Sequence, residues 1–528
     1  MYFGKPFNIL VQLLSGWEMY ERENPVPKRD YSRAPLFPLP REGWALLALL
    51  AIIFLGAVLR FYGLGFQSLW GGELASWDFG GQDTISQVVR DGSQPPLYFL
   101  MLHLARWVLG DAEWALRLPS AIAGWLCIPA VYLLGKKLYS EREGVMAALL
   151  VAVLWPTVYY SQEARPYAML ILLSILTSYF WWDLMQGLRY RGELPRKEAA
   201  CYVVCAVLCA YTHYFGLLLV VLQAAALAAL ALDDLRKVAL LYLPVALAYL
   251  PWLPGMVHQF QNGGLTGHGG RPTLQAVPEY FQFLFGRSDI LALGAWTLLC
   301  FLLLRGWDDV RPRRKGSGVP PGSLLAAWAA VLFVVSYAVA QSSAGMFTYE
   351  NLLVSLPAVY LLVARAVTRA FSGRAGWVFQ GTVAVGLGAA SLAYLLFSMD
   401  YYTSPTKDQV REAVAYVAAH KESGTLVVRC DADYRLDYYL SAGDRVQACA
   451  AEDVQRVERK VKEDNYSEVL HLISRPEPDQ QMVSMLQRGF QPVHYERFDG
   501  AAVVTYKVGK HPAAGPPQPQ PPTSLPEQ

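Results

Sequence analysis

Apolar residues along this chain gather into runs of about 17–22, long enough as helices to cross the ~30 Å hydrocarbon core of a bilayer. They lie at roughly 44–62, 117–138, 144–160, 166–183, 198–212, 214–232, 237–254, 288–305, 323–341, 350–366 and 376–398, which predicts about eleven spans. One further run, Leu97 to Leu109, is too short to span, follows Pro95-Pro96 and carries His103 and Arg106. It reads as a helix lying at the membrane surface. Beyond residue 400 the apolar runs shorten and the periods alternate. Helices are expected at Pro405 to His420, Tyr434 to Leu440, Asp453 to Glu463 and Gln480 to Arg488. Strands are expected at Thr425 to Arg429, Arg445 to Ala448, Val469 to Ile473, Pro492 to Phe498 and Ala502 to Val508, the last two joined by a turn at Asp499-Gly500. That alternation suggests a small, mostly parallel sheet.

The expected architecture is therefore mostly α: a polytopic transmembrane helical bundle with a small C-terminal extracytoplasmic α/β domain. The boundaries expected are a cytoplasmic N-terminal segment at 1–43, a membrane domain at 44–400, the α/β domain at 401–510 and a Pro-rich disordered tail at 511–528. Composition agrees: 54% of residues are hydrophobic and 17% charged, with a mean hydropathy of +0.25, whereas soluble proteins carry about 25% charged residues. No short apolar stretch with a small-residue cleavage site follows the polar N-terminal segment, so Trp44 to Leu59 reads as an uncleaved signal anchor. The formal net charge of +2 carries no nucleic-acid signature.

Where the charge sits is more informative. With the N-terminus inside, the inside loops hold Lys136-Lys137-Arg142, Arg189-Arg191-Arg196-Lys197, Arg236-Lys237, Arg305-Arg311-Arg313-Arg314-Lys315 and Arg365-Arg369-Arg374. The outside loops hold scattered arginines only: Arg90, Arg106, Arg117, Arg165, Arg271 and Arg287. This is the positive-inside pattern of a multi-pass cell-membrane protein with its N-terminus cytoplasmic and its C-terminal domain outside. A span at 97–109 would invert every later loop.

That topology brings the chemically interesting residues to one face. The long loop 63–116 supplies Glu73, Asp78 and Asp83; the turn 161–165 supplies Glu163 and Arg165; the junction 211–214 supplies His213. Carboxylates there could act as general base or hold a divalent cation. An arginine beside them suits an anionic leaving group such as a phosphate. Taken one at a time, the same residues also fit structural roles: Glu163 and Arg165 as a helix-end pair, His213 as an interfacial histidine. Seven cysteines do not make a disulfide framework. Cys201, Cys205 and Cys209 share a helix face, as a metal or redox group or as small apolar residues. Cys430 and Cys449 each end an expected strand and could form a bridge or remain two free thiols.

Ser161-Gln162-Glu163-Ala164-Arg165-Pro166-Tyr167-Ala168 resembles the Ser-Gln-Glu-Ala-Arg-x-Tyr-Ala signature of GT-C-fold membrane glycosyltransferases of the protein O-mannosyltransferase type, glycosyltransferase family 39 and relatives. Further segments follow in order. Ser68-Leu69-Trp70-Gly71-Gly72-Glu73 stands where that family has Ser-Leu-Trp-x-Asp-Glu. Pro95-Pro96-Leu97-Tyr98, Ala115-Leu116-Arg117-Leu118-Pro119-Ser120, Tyr211-Thr212-His213-Tyr214-Phe215 and Leu250-Pro251-Trp252-Leu253-Pro254 match as well. The resemblance covers about residues 44–400 and implies an inverting transfer of a sugar from a polyprenyl-phosphate donor, with or without a divalent metal, to an extracytoplasmic protein, lipid or glycan.

Carried over residue by residue, the resemblance makes Glu73 and Glu163 the acidic pair, with Asp78 as a reserve base. Arg165 and Tyr167 would hold the donor phosphate, His213 and Gln94 would be accessory, and Glu73, Glu163 and His213 would be the metal ligands if a metal is used. Three departures stand out. The family's catalytic Asp is Gly72, its His before Pro-Pro is Gln94, and its Arg-Tyr near the start of a late helix is Glu350-Asn351. Loss of a general base costs ~10²–10⁴-fold in rate. A degenerate relative acting as a binding or assembly subunit is therefore a second reading. A transporter is a third, disfavoured because the sequence has no internal repeat and its charged residues gather at the rim.

Overall fold

The computed structural model describes residues 40, 42–81, 94–261, 271–305, 319–342, 347–371, 376–429, 434–440, 451–474, 486–487 and 490–508. Asp83, the Gly-rich stretch 262–270, the expected strand at 445–448, Cys430 and Cys449, and the tail after 510 lie outside these residues, as does most of the expected helix at 480–488. The chain divides into two units: Met1–Phe66 with Ser76–Ser404, and Gln67–Ala75 with Pro405–Gln528.

The first unit is a helical bundle. Seven helical stretches are long and apolar enough to cross a membrane: Gly43–Phe61, Glu113–Leu138, Tyr167–Arg191, Leu232–Gln261, Pro321–Ser342, Asn351–Ala370 and Gly376–Ser398. Two bent pairs raise the number to nine among the described residues: Glu141–Val153 with Trp155–Gln162, bent by 63°, and Ala276–Leu284 with Asp289–Phe301, bent by 104°. The expected eleven included 198–212 and 214–232. These are helices Arg196–Thr212 and Tyr214–Leu230, and each has only 17 residues, about 25 Å at 1.5 Å per residue. The protein is thus a multi-span membrane protein. The helix Leu97–Leu109 forms as expected; it buries Tyr98, Phe99 and Leu102 while leaving Leu104, Trp107 and Val108 exposed.

The 63° break is held by a buried arginine. A helix end leaves carbonyls without partners, a costly state away from water. Arg60 is completely buried and donates to the carbonyls of Val151 (2.6 Å), Ala152 (3.0 Å) and Thr157 (3.4 Å), on both sides of the break. The Thr157 hydroxyl adds a bond of 2.7 Å to each of the Val151 and Leu154 carbonyls. Gln162 returns the service to the helix that carries Arg60: its Nε2 donates to the carbonyls of Leu59, Arg60 and Tyr62 at 3.2, 3.1 and 2.9 Å.

The second unit is a four-stranded sheet with strands β1 (Thr425–Arg429), β2 (Glu468–Ile473), β3 (Gln491–Phe498) and β4 (Ala501–Lys507), in the order β1-β2-β4-β3. Only β1 and β2 pair parallel; β2–β4 and β3–β4 are antiparallel. The expected mostly parallel sheet is therefore corrected to a mixed one, because β4 returns by a hairpin at Gly500 (φ +67°) and inserts between β2 and β3. Side chains alternate between two faces, as strand geometry requires. Leu426, Val428 and Val469 pack with Val457 and Val461 of helix Ala451–Glu463. Val427, Leu470 and Val503 pack with Val410, Ala413 and Val417 of helix Val410–His420. That last helix begins at Val410 instead of Pro405, since residues 406–408 are drawn into contacts with the segment Gln67–Ala75. Thr406 N donates to Gln67 Oε1 (2.9 Å) and Gly71 N donates to Asp408 Oδ2 (3.2 Å).

Candidate functional site

The turn after the broken span is built rigidly. Ser161 Oγ donates to the Thr157 carbonyl, and a Cβ on Gly124 of the neighbouring helix would collide with that hydroxyl. Glycine at 124 is what lets the two segments approach so closely. Ser120 Oγ donates to the Arg165 carbonyl at 2.9 Å and is itself 2.8 Å from the Tyr98 hydroxyl. Ser161, Gln162, Tyr98 and Ser120 thus position the turn, and the side chains of Glu163, Arg165 and Tyr167 are the ones it presents.

Glu163 is fully buried. Arg165 is half-buried, its guanidinium carbon 5.5 Å from the centre of the Tyr167 ring and Nη2 3.4 Å from the Tyr167 hydroxyl. Burial works against the Arg165 charge, but Tyr167 and Glu163 outweigh it and hold its pKa above the ordinary arginine value. His213 separates two helices; its ring lies 6.0 Å from that of Tyr167, and its Nδ1 accepts from Phe215 N at 3.2 Å. Burial, reinforced by the Arg165 cation, lowers its pKa to about 3, so the ring is neutral near pH 7.

The structure adds two members that the sequence reading did not assign to the site. Tyr160 packs on Tyr167 with ring centres 5.2 Å apart, and its hydroxyl donates to Glu350 Oε1 at 3.2 Å. Glu350 opens the turn Asn351–Ser355, which packs against helices Tyr167–Arg191 and Tyr214–Leu230. Glu163 and Glu350 both act electrostatically on Tyr160 and on Tyr167. The signal for Glu350 was present as an acid at a helix start, but proximity to a residue 190 positions away is invisible to local spacing.

Three further expected residues have their own surroundings. Asp78 is exposed on helix Gly71–Gly80. Gln94 is half-buried, and its Oε1 has no hydrogen-bond partner among the described residues. Glu73 belongs to the second unit, where its Oε2 lies 3.2 Å from Lys407 Nζ, both side chains being shut off from solvent. A Cβ added to Gly72 would sit 2.5 Å from Cη2 of the Trp70 ring, so the place of the family's Asp side chain is filled by an indole. Among the described residues no group of three or more His, Cys, Asp or Glu could hold a metal ion. No step is assigned to a metal. A half-open apolar cavity of about 170 Å³ is lined by Leu134, Trp181, Trp182, Leu222 and Trp328, with Gln223 among its few polar neighbours.

Residues 93–258, under a third of the chain, match the model of the family described as dolichyl-phosphate-mannose-protein mannosyltransferase. The apo structure of ArnT from Cupriavidus metallidurans is similar with a TM-score of 0.56 at 15% identity, covering 88% of this chain and 98% of that one. The structure of the same protein bound to undecaprenyl phosphate is similar with a TM-score of 0.52 at 16% identity and the same coverage. No curated protein matches the sequence. At such identities the structural likeness is one of fold. The chain is a multi-span membrane protein of the GT-C fold, similar over residues 93–258 to the dolichyl-phosphate-mannose-protein mannosyltransferase family.

Proposed function

We propose that this protein is an inverting glycosyltransferase that moves a sugar from a polyprenyl-phosphate-linked donor to an acceptor at the extracytoplasmic face of a cell membrane. The observation that carries the reading is the cluster Glu163–Arg165–Tyr167 with His213, set on a rigid turn inside the segment that matches the family. The acceptor oxygen forms a bond to the anomeric carbon as the bond from that carbon to the phosphate oxygen breaks. Arg165, its guanidinium held by Tyr167, takes the charge that develops on the departing phosphate, where a fixed cation stabilises a transition state most effectively. Glu163 assists from the buried side, its negative charge facing the Arg165 cation. The resemblance supplies Glu73 or Asp78 as the first-loop acid.

Packing of Trp70 on Gly72 favours a second reading, a relative that binds donor lipid or a partner without transferring sugar. Transfer of radiolabelled sugar from polyprenyl-phosphate donors by the purified protein in detergent separates the two. The enzyme reading expects turnover that falls at least tenfold in Glu163→Gln and in Arg165→Lys, the latter because an ammonium cannot reproduce the planar fork of guanidinium donors. Absence of turnover with every donor, alongside saturable binding of undecaprenyl phosphate, would establish the binding-subunit reading instead.

A further inference from the structure

We propose that Glu350 is the general base of this site, taking the role for which Gly72 has no side chain; the inference rests on the glycosyltransferase reading. An inverting transfer must remove one proton from the acceptor hydroxyl, and the position at which the family supplies an Asp has no side chain here. The Trp70 ring occupies the space such a side chain would need. Glu73, the next acid along, is committed to Lys407 in a pair shut off from solvent, and a carboxylate held by an ammonium is a poor proton acceptor. Where the family has an arginine, this chain has Glu350.

The geometry suits the task. Glu350 is half-buried, whereas Glu163 is fully buried, so the two carboxylates differ in access. Both act on Tyr160 and Tyr167, two rings in contact, of which Tyr167 meets the Arg165 guanidinium. Tyr160 donates to Oε1 of Glu350, which orients the carboxylate and leaves Oε2 as the acceptor for a substrate proton. In the step, the acceptor O–H gives its proton to Glu350 as its oxygen bonds to the anomeric carbon. The carbon–oxygen bond to phosphate breaks, and polyprenyl phosphate leaves as an anion against Arg165.

The test compares wild type with Glu350→Gln, Glu350→Asp, Glu73→Gln and Asp78→Asn in the transfer assay, with undecaprenyl-phosphate binding measured on each purified protein. The expected result is a fall in kcat of ~10²–10³-fold for Glu350→Gln, a donor KM within about twofold of wild type, unchanged lipid binding, and partial recovery in Glu350→Asp. Glu350→Gln turning over within threefold of wild type would overturn the proposal while leaving the glycosyltransferase reading intact. So would a loss confined to Glu73→Gln or Asp78→Asn, which would put the base in the first loop. Wild type that transfers no sugar from any donor would overturn both.

Discussion

Lys407 Nζ lies 3.2 Å from Glu73 Oε2, with side-chain exposures of 1% and 0%. A residue of the first long loop and one from beyond the last span thus form a buried ion pair within one folded unit. The surrounding contacts repeat the pattern. Tyr439 Oη accepts from Leu69 N at 2.9 Å, Ser68 Oγ accepts from Arg411 N at 3.2 Å, and Asp408 Oδ2 accepts from Gly71 N at 3.2 Å. The segment Ser-Leu-Trp-Gly-Gly-Glu behaves as an added element of the α/β unit.

Removing one member of a buried pair strands the other charge in a poorly solvated place, at a cost of about 3–5 kcal/mol. Lys407→Ala is therefore expected to lower the thermal midpoint of the detergent-solubilised protein markedly. The double variant Lys407→Met with Glu73→Gln removes both charges and should recover most of the loss. Equal destabilisation by the single and double variants would count against the pairing.

Gly72→Asp restores the family's residue in sequence only. Its Cβ would meet the Trp70 ring, which must swing away at a cost of about 1–3 kcal/mol, the usual range for an overpacked site. We expect a less stable protein with no gain in transfer rate, and relief of the stability loss when Trp70→Ala is added. A several-fold gain in transfer from Gly72→Asp alone would show that the ring yields and that the first loop still carries the base.

His213 makes stability depend on pH with a definite sign. Its folded pKa is lowered to about 3, against about 6.5 for a free imidazole. Between those values the unfolded chain binds a proton that the folded chain refuses, so acid favours unfolding there. The stability tied to this residue is complete above pH 6.5 and is lost progressively as pH falls from 6.5 toward 3. Unfolding midpoints measured from pH 7.5 to 4.5 should fall with acidification, and His213→Gln should flatten that part of the curve. A profile identical in wild type and variant would show that the ring is solvated.

Arg60 holds the broken span together by filling carbonyls on both sides of the break. Arg60→Met keeps the bulk and removes the donors. Each buried carbonyl left without a partner costs about 1–3 kcal/mol, so the variant is expected to be recovered poorly from the membrane or to unfold well below wild type. Recovery and midpoint close to those of wild type would mean that water or a neighbouring side chain can replace the guanidinium.

The linear chain by itself predicted the long apolar helices, the helix Leu97–Leu109 and the strands found among the described residues, because each is written in a local pattern. Apolar runs of bilayer length specify helices such as Tyr167–Arg191, and short runs rich in β-branched and aromatic residues bounded by turns specify strands such as β4. The charged residues between the runs predicted the topology that brings Glu163, Arg165 and His213 to one side, and the structure places Tyr167 beside both Arg165 and His213. Tertiary structure alone decided what each acid meets. Glu73 and Glu163 look equivalent in sequence, yet one is bound to Lys407 in the α/β unit and the other sits beside Arg165. Glu350 reads as a mere departure until the packing of the turn Asn351–Ser355 carries it to Tyr160. Glu73 and Lys407 lie 334 positions apart and Tyr160 and Glu350 lie 190 apart, and a local period carries no information about which distant side chain will share a buried site.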